Sequence, residues 1–213
     1  MEIFLDTADL SEIRLYADFI DGVTTNPSII AKRNASDFDE LIKDICQTVA
    51  GLVSVEVISE IYDEMLEEGE QFAKIHSNVC VKLPCTFDGL RACKSLSLNG
   101  IATNLTLCFS SAQALLAAKC GATYVSPFVG RLDDIGQSGI SLIEEIVNIF
   151  CVHGYETKVL VASVRNLQHV IQAAALGANA ITVPSTILKQ CFEHPLTTRG
   201  LEIFEKDWKK VKK

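Results

Sequence analysis

The feature that most constrains this chain is a repeated alternation between short β-like runs and stretches of helical periodicity. The runs are predicted at Glu2–Asp6, Gly22–Asn26, Leu52–Val57, Val79–Leu83, Ile101–Thr106, Thr123–Phe128, Lys158–Ser163 and Ala180–Val183. Helices are predicted over Asp9–Ile20, Phe38–Val49, Glu60–His76, Gly89–Leu98, Ser110–Lys119, Ile140–His153 and Asn166–Leu176, with a last one over about Leu196–Val211 that ends in a basic tail. Phe38, Leu41, Ile42, Ile45, Cys46 and Val49 fall on one helical face, and Ser36 precedes them as an N-cap. Ser110 with Gln113 forms a capping box, and Gly121 stops that helix.

Successive β-then-α units require a parallel sheet with crossover helices. Eight such units favour a closed (β/α)8 TIM barrel over an open doubly wound sheet. The chain also lacks the Gly-x-Gly-x-x-Gly and Gly-x-x-x-x-Gly-Lys turns that an open nucleotide-binding sheet often carries. Its 213 residues suit one α/β domain over 1–213, with the C-terminal helix added to the barrel.

Composition narrows the function classes. Apolar residues make up 48% and charged residues 22%, which excludes disorder over the whole chain. A net charge of −8 argues against nucleic acid as a partner. No apolar run reaches the roughly 18 residues needed to cross a membrane, and the N-terminus has no basic n-region or cleavage site. The 8 cysteines form no Cys-x-x-Cys and no zinc-type spacing, so they read as small buried residues in a reducing cytosol, with a cytoplasmic location and no metal.

Strand parity supplies the candidate site. Side chains alternate between the helix-facing side and the barrel interior. Val79, Val81 and Leu83 suit the helix side, which turns Cys80 and Lys82 inward. The same test sends Val53, Val55 and Val57 outward and Ser54 and Glu56 inward. It sends Ile3 and Leu5 outward and Phe4 and Asp6 inward. Ile101, Leu105 and Leu107 are expected outward, with Asn104 and Thr106 inward; Val125 outward, with Tyr124, Ser126 and Phe128 inward. Thr24 and Asn26 share a face, as do Val159, Val161 and Ser163. Polar residues thus recur in the interior near the strands' C-terminal ends, where barrel enzymes place their chemistry. Isolated buried charges are costly, so Asp6, Glu56 and Lys82 on three strands read as a functional cluster, although an ion pair from Lys82 to either carboxylate also fits.

A lysine in such a site is desolvated, which disfavours its ammonium form. The neutral amine attacks carbonyls, so Lys82 suits a Schiff base with a ketone or aldehyde. Proton transfers in that chemistry call for positioned carboxylates, the part of Asp6 and Glu56. Asn104 and Thr106 offer neutral hydrogen bonds to water or substrate hydroxyls. The iminium nitrogen is the electron sink, so no cofactor is expected. The four histidines read as surface or satisfied residues. Arg131 and Arg165, just past the sixth and seventh runs, with Ser163 two before Arg165, suit a phosphate group; the plainer reading is surface arginines paired with Asp133, Asp134 or Glu144.

The motifs Asp6-Thr7-Ala8-Asp9, Gly22-Val23-Thr24-Thr25-Asn26-Pro27-Ser28, Val81-Lys82-Leu83-Pro84, Asn104-Leu105-Thr106-Leu107 and Ser126-Pro127-Phe128-Val129-Gly130-Arg131 together resemble the transaldolase family. The length matches its short bacterial branch, which includes fructose-6-phosphate aldolases. The resemblance runs from Met1 to about Trp208. It implies a class I aldolase barrel with Lys82 as the Schiff-base lysine and Asp6 as the acid/base at the C4 hydroxyl. It further implies Glu56 and Thr106 at the catalytic water, Thr24, Asn26, Asn104 and Ser126 around a dihydroxyacetone unit, and Arg131, Ser163 and Arg165 on phosphate. The reaction it implies moves dihydroxyacetone between sugar phosphates in the non-oxidative pentose phosphate pathway. Partners would be sugar phosphates and further copies of the chain, since the short branch forms pentameric rings paired into decamers. Leu201, Phe204 and Trp208 are spaced to supply such a contact.

Position 56 is Glu where the aldolase branch resembles Gln, and position 128 is Phe where that branch has Tyr. Both favour transaldolase over release of free dihydroxyacetone. Val164 departs from a phenylalanine common in the family, and Cys85 and Cys108 are unusual near the site. A non-catalytic sugar-phosphate binder explains the arginines but not Lys82, and an isomerase with Glu56 as enediol base does not need the lysine.

Overall fold

The computed structural model describes residues 1–31 and 38–211. The expected cap Ser36 lies outside them. The chain opens with β1 (Glu2–Asp6), α1 (Leu10–Tyr16), a 3-10 turn (Ala17–Phe19), β2 (Gly22–Thr24), α2 (Pro27–Ala31) and α3 (Phe38–Thr48). There follow β3 (Val53–Glu56), α4 (Tyr62–Ile75), β4 (Val79–Pro84), α5 (Phe87–Leu98), β5 (Thr103–Cys108) and α6 (Ser111–Lys119). The last part holds β6 (Tyr124–Pro127), α7 (Val129–Asp134), α8 (Gly139–His153), β7 (Lys158–Val161), α9 (Leu167–Ala175), β8 (Ala180–Val183), α10 (Ser185–Phe192) and α11 (Pro195–Val211). All strand pairs are parallel in chain order, and β8 closes on β1 through Phe4↔Thr182 and its neighbours. The fold is a (β/α)8 barrel.

Parity builds two cores. Leu5, Val23, Val53, Val55, Val81, Leu83, Leu105, Val125, Val159, Val161 and Ile181 face the helices and pack with Ile42, Ile45, Met65, Leu96, Ile143 and Ile146. Phe4, Cys80, Tyr124, Leu160 and Ala180 fill the barrel axis, with the Phe4 and Tyr124 rings edge to face at 5.5 Å. This plug closes the N-terminal half of the barrel. Glu2 seals the rim, accepting from the Tyr124 hydroxyl at 2.6 Å and pairing with Lys158 at 2.5 Å. Polar interior residues are thereby concentrated at the opposite mouth.

Local signals account for most boundaries. Ser110 Oγ accepts from Gln113 N–H, while the Gln113 side chain reaches back to Phe109 N–H at 2.9 Å, a capping box displaced by one residue. Thr86 caps α5, which starts ahead of the expected Gly89. β5 starts at Thr103 rather than Ile101, because Ile101 N–H still bonds Leu96 O in the turn that ends α5. The run predicted over Asp9–Ile20 breaks after Tyr16 into the 3-10 turn. The sequence pattern misses α2, α7 and α10, of 5, 6 and 8 residues, each shorter than the window over which helical periodicity is read and each starting within three residues of a strand's end at the C-terminal mouth. Among the described residues, no helix is long and apolar enough to cross a membrane. All eight cysteines are free; Cys46, Cys80, Cys85, Cys93 and Cys108 are buried, whereas Cys151 and Cys191 are exposed, against the expectation of burial.

Candidate active site

The strands' C-terminal ends surround a cleft of about 650 Å³, lined by Asp6, Thr24, Asn26, Glu56, Lys82, Ser126, Phe128, Arg131, Ser163 and Arg165 among others. That volume suits a small ligand. Of the residues expected at the site, only Asn104 and Thr106 lie off this wall; both are fully buried.

Lys82 is 5% exposed and points inward from the middle of β4. Its Nζ lies 3.0 Å from Glu56 Oε2 and donates to Thr25 O at 3.1 Å. The two side chains meet because β3 and β4 pair Glu56 directly with Lys82. The ion pair admitted by the sequence therefore forms, with Glu56 rather than Asp6 as the partner. The pair leaves the Lys82 amine within proton-transfer distance of a carboxylate, an arrangement compatible with amine chemistry at a carbonyl.

Asp6 sits across the mouth at the end of β1. Burial pushes its carboxyl above the ordinary value of 3.8, against the opposing pulls of the Thr24 hydrogen bond and the Lys82 charge. A carboxyl held above its ordinary range is a stronger proton acceptor than a free one, which suits acid/base work. Thr24 Oγ1 donates to Asp6 Oδ1 at 2.8 Å and lies 2.6 Å from Thr182 Oγ1. Thr24 has one hydroxyl proton, so with it committed to Asp6 the Thr182 hydroxyl donates to Thr24. Thr182 was missed in the site reading, although β8 parity, with Ile181 and Val183 outward, turns it inward.

Beneath the cleft, Asn104 Nδ2 donates to Ser54 Oγ at 3.0 Å and Ser126 Oγ donates to Asn104 Oδ1 at 2.7 Å. Asn104 thus ties β3, β5 and β6 and orients Ser126, which does reach the wall. Thr106 Oγ1 is the buried side-chain oxygen that, among the described residues, has no protein hydrogen-bond partner. An unpaired buried hydroxyl costs about 1–3 kcal/mol, so this atom suits a water or a substrate group.

Two parity expectations fail, both at the cleft. Leu107 was expected outward and Ser163 on the face of Val159 and Val161; instead both line the cleft. Both adopt a left-handed backbone, with φ of 55° and 60°, the positive values among non-glycine residues described. The β5–β6 register shifts between Leu105 and Cys108, which swings Leu107 round and turns Cys108 to the helix-side core. β7 ends at Val161, so Ser163 is no longer bound by strand alternation. Such strain of about 1–3 kcal/mol per residue characteristically gathers at functional sites. Cys85, behind this bulge, has its thiol held above the ordinary range first by its hydrogen bond to Cys108 and then by burial.

Ser163, Arg165 and α7 form one platform. Ser163 O accepts from Gly130 N–H at 3.0 Å. A Cβ on Gly130 would lie 2.2 Å from that oxygen and 2.6 Å from the Arg165 side chain, so only glycine permits this approach. Arg131 stacks over Phe128 with its guanidinium carbon 4.9 Å from the ring centre. Arg165 Nη2 pairs with Asp134 at 3.1 Å, the plainer reading of this arginine, while both arginines also face the cleft. Among the described residues no group of three or more His, Cys, Asp or Glu side chains could hold a metal ion.

Comparison with known proteins bears on this arrangement. A protein from Petrotoga mobilis named probable transaldolase is 54% identical over 212 residues, covering 99% of this chain and 96% of that one. Probable transaldolases of Clostridioides difficile and Geobacter metallireducens are 55% identical over 210 residues and 53% over 215 residues, covering 98% and 100% of this chain and 97% and 100% of theirs. Among solved structures, inosine 5' monophosphate dehydrogenase from Legionella pneumophila aligns with a TM-score of 0.60 over 88% of this chain and 58% of its own, at 14% identity, a likeness of fold alone. The family described as Transaldolase/Fructose-6-phosphate aldolase matches residues 3–213, and with near-complete coverage at over half identity the chain belongs to that family.

Proposed function

We propose that the protein is a transaldolase that moves a dihydroxyacetone unit from a ketose phosphate, sedoheptulose 7-phosphate or fructose 6-phosphate, to an aldose phosphate through a Schiff base on Lys82. The observation that carries the reading is the buried Lys82 amine, paired with Glu56 at 3.0 Å in the wall of a cleft that also holds Asp6. Its place in metabolism would be the non-oxidative pentose phosphate pathway.

The steps follow from the groups available. Glu56 takes a proton from the Lys82 ammonium, and the Nζ lone pair adds to the C2 carbonyl. The resulting carbinolamine loses water, with Glu56 and the Thr106 hydroxyl holding that water. Asp6 accepts the C4 hydroxyl proton as the C3–C4 bond breaks, and its electron pair flows into the iminium nitrogen. The aldose phosphate leaves, and an enamine stays on Lys82 until an acceptor aldehyde reverses the sequence. Ser126, Thr24 and Asn26 face the three-carbon unit, and Arg131, Ser163 and Arg165 face the phosphate. Positioned acid/base groups of this kind contribute roughly 10²–10⁴-fold.

Phe128 and Glu56 support transfer over simple cleavage. Phe128 has no hydroxyl with which to protonate the enamine, so the intermediate persists for the acceptor. The exposed apolar face of α11 supports a homo-oligomer, since this helix buries none of its residues.

The test incubates the protein with fructose 6-phosphate and borohydride, with mapping of the reduced adduct, and assays turnover with and without erythrose 4-phosphate. Labelling at Lys82 with acceptor-dependent turnover is expected. Labelling with acceptor-independent release of dihydroxyacetone makes the protein an aldolase, and absence of labelling overturns the Schiff base.

A further inference from the structure

His169, which sequence reading places among the surface or satisfied histidines, joins the two halves of the anion platform. It is buried in the first turn of α9, with 8% of its side chain exposed. Its Nδ1 accepts from the backbone N–H of Arg165 at 3.3 Å, and its Nε2 lies 2.9 Å from Asp133 Oδ2. An acceptor at Nδ1 carries no proton, so the imidazole proton sits on Nε2 and points to the Asp133 carboxylate. Asp133 spends its other oxygen on the Gly139 N–H at 3.0 Å, at the start of α8. One imidazole therefore links α7, which carries Arg131, to the backbone of Arg165.

We propose that His169 is a positioning residue for phosphate recognition: by bridging Asp133 and the Arg165 N–H it sets the spacing of Arg131 and Arg165, so that both guanidinium groups meet one phosphate. This rests on the reading of Arg131, Ser163 and Arg165 as the phosphate site. Arg131 and Arg165 come from different βα connections, and charge-assisted pairing with one anion needs their separation held to a fraction of an ångström. Elsewhere the platform is held by the Val129 N–H on Ala162 O and the Gly130 N–H on Ser163 O, both at 3.0 Å near the N-terminus of α7, and by the exposed Arg165–Asp134 pair. That pair must open when Arg165 turns to phosphate, whereas the His169 bridge uses the Arg165 backbone and survives.

The experiment compares wild type with His169→Leu, His169→Asn and His169→Gln. Inorganic phosphate is titrated as a competitive inhibitor against fructose 6-phosphate, KM and kcat are measured, and borohydride labelling of Lys82 is followed with dihydroxyacetone, which has the ketone and no phosphate. His169→Leu is expected to raise both KM and the phosphate inhibition constant about tenfold, with kcat held within about twofold, the split of a binding interaction rather than a chemical one. Labelling by dihydroxyacetone stays at the wild-type rate. Asn keeps an oxygen near the place of Nδ1 for the Arg165 N–H but does not reach Asp133, and Gln reaches Asp133 without serving the Arg165 N–H; each breaks the bridge at one end, so neither recovers the loss. This pair decides the matter even if the Leu variant fails to fold. Phosphate inhibition unmoved in every folded variant, or KM and dihydroxyacetone labelling impaired alike, overturns the proposal. A wild-type protein on which phosphate does not compete overturns the reading beneath it as well.

Discussion

Glu56 and Lys82 are direct partners in the parallel ladder of β3 and β4, and their charges meet at 3.0 Å with the lysine side chain 6% and the carboxylate side chain 15% exposed. Parallel pairing sets the two side chains on one face at the same height, so the contact follows from the register rather than from flexible reach. A buried pair of this kind holds both charges only while both are present.

Lys82→Met is therefore expected to cost stability as well as chemistry. It leaves Glu56 without its cation, a loss of about 3 kcal/mol for an uncompensated buried charge. Lys82→Met/Glu56→Gln removes both charges and should recover most of that stability while remaining inactive. Urea denaturation of the two variants checks this; equal stability of Lys82→Met and wild type would show that Glu56 is solvated enough to stand alone.

Asp6 predicts the opposite sign. Burial holds its folded-state carboxyl above 3.8, so the folded protein binds this proton more tightly than the unfolded chain. The resulting stabilisation is complete below pH 3.8 and disappears as pH rises through the raised folded value. At neutral pH the buried carboxylate is thus a net burden. Asp6→Asn keeps an oxygen for the Thr24 hydroxyl, and it should be more stable than wild type at neutral pH, with the margin shrinking in acid, while turnover falls about 10²–10⁴-fold. Thermal melts across pH measure the margin, and an Asn variant less stable than wild type at neutral pH contradicts the burial argument.

How far the sequence could be read follows the same logic of register and parity. Branched apolar residues on one parity of each strand sufficed to turn Asp6, Glu56 and Lys82 inward, because alternation holds wherever a strand is regular. Applied to β8, it also identifies Thr182. It fails at Leu107 and Ser163, where the backbone enters the left-handed region and alternation has no meaning. Neither residue is Gly, Asn or Asp, so composition carries no warning of the turn. His169 was invisible as a strut because one partner, Asp133, is brought to it only by the packing of α7 beside the start of α9, whereas the other, the Arg165 N–H, is four residues upstream. Asn104 was placed inward correctly, yet its amide is occupied by Ser54 and Ser126, a three-strand link that no single strand's pattern contains.

The C-terminal helix makes a prediction about assembly. Leu201, Phe204, Trp208 and Val211 follow helical spacing along α11 and are 63%, 71%, 60% and 73% exposed. A stripe of large apolar residues at this exposure marks an interaction face, and further copies of this chain are the expected partner. Light scattering should find a multimer, and Phe204→Asp with Trp208→Ala should dissociate it without lowering the far-ultraviolet helix signal. A wild-type protein that runs as a monomer at micromolar concentration removes the argument.

On the proposed reading of the platform as a phosphate site, Asp134 sets how strongly the anion is held. Its carboxylate lies 3.1 Å from Arg165 Nη2, with the two side chains 60% and 55% exposed. A phosphate that takes Arg165 must first displace this carboxylate. Exposed pairs of this type contribute about 0.2–1 kcal/mol. Asp134→Asn, which removes the competing charge, should therefore lower the inhibition constant for inorganic phosphate by up to about fivefold, since 1.4 kcal/mol corresponds to tenfold. The gain should shrink as ionic strength rises, because exposed ion pairs weaken as salt competes for both charges. The outcome discriminates between two uses of the carboxylate. If it only competes, binding tightens in the Asn variant; if it holds the guanidinium in the pose that phosphate needs, binding weakens, and Asp134 is not a competitor of the phosphate.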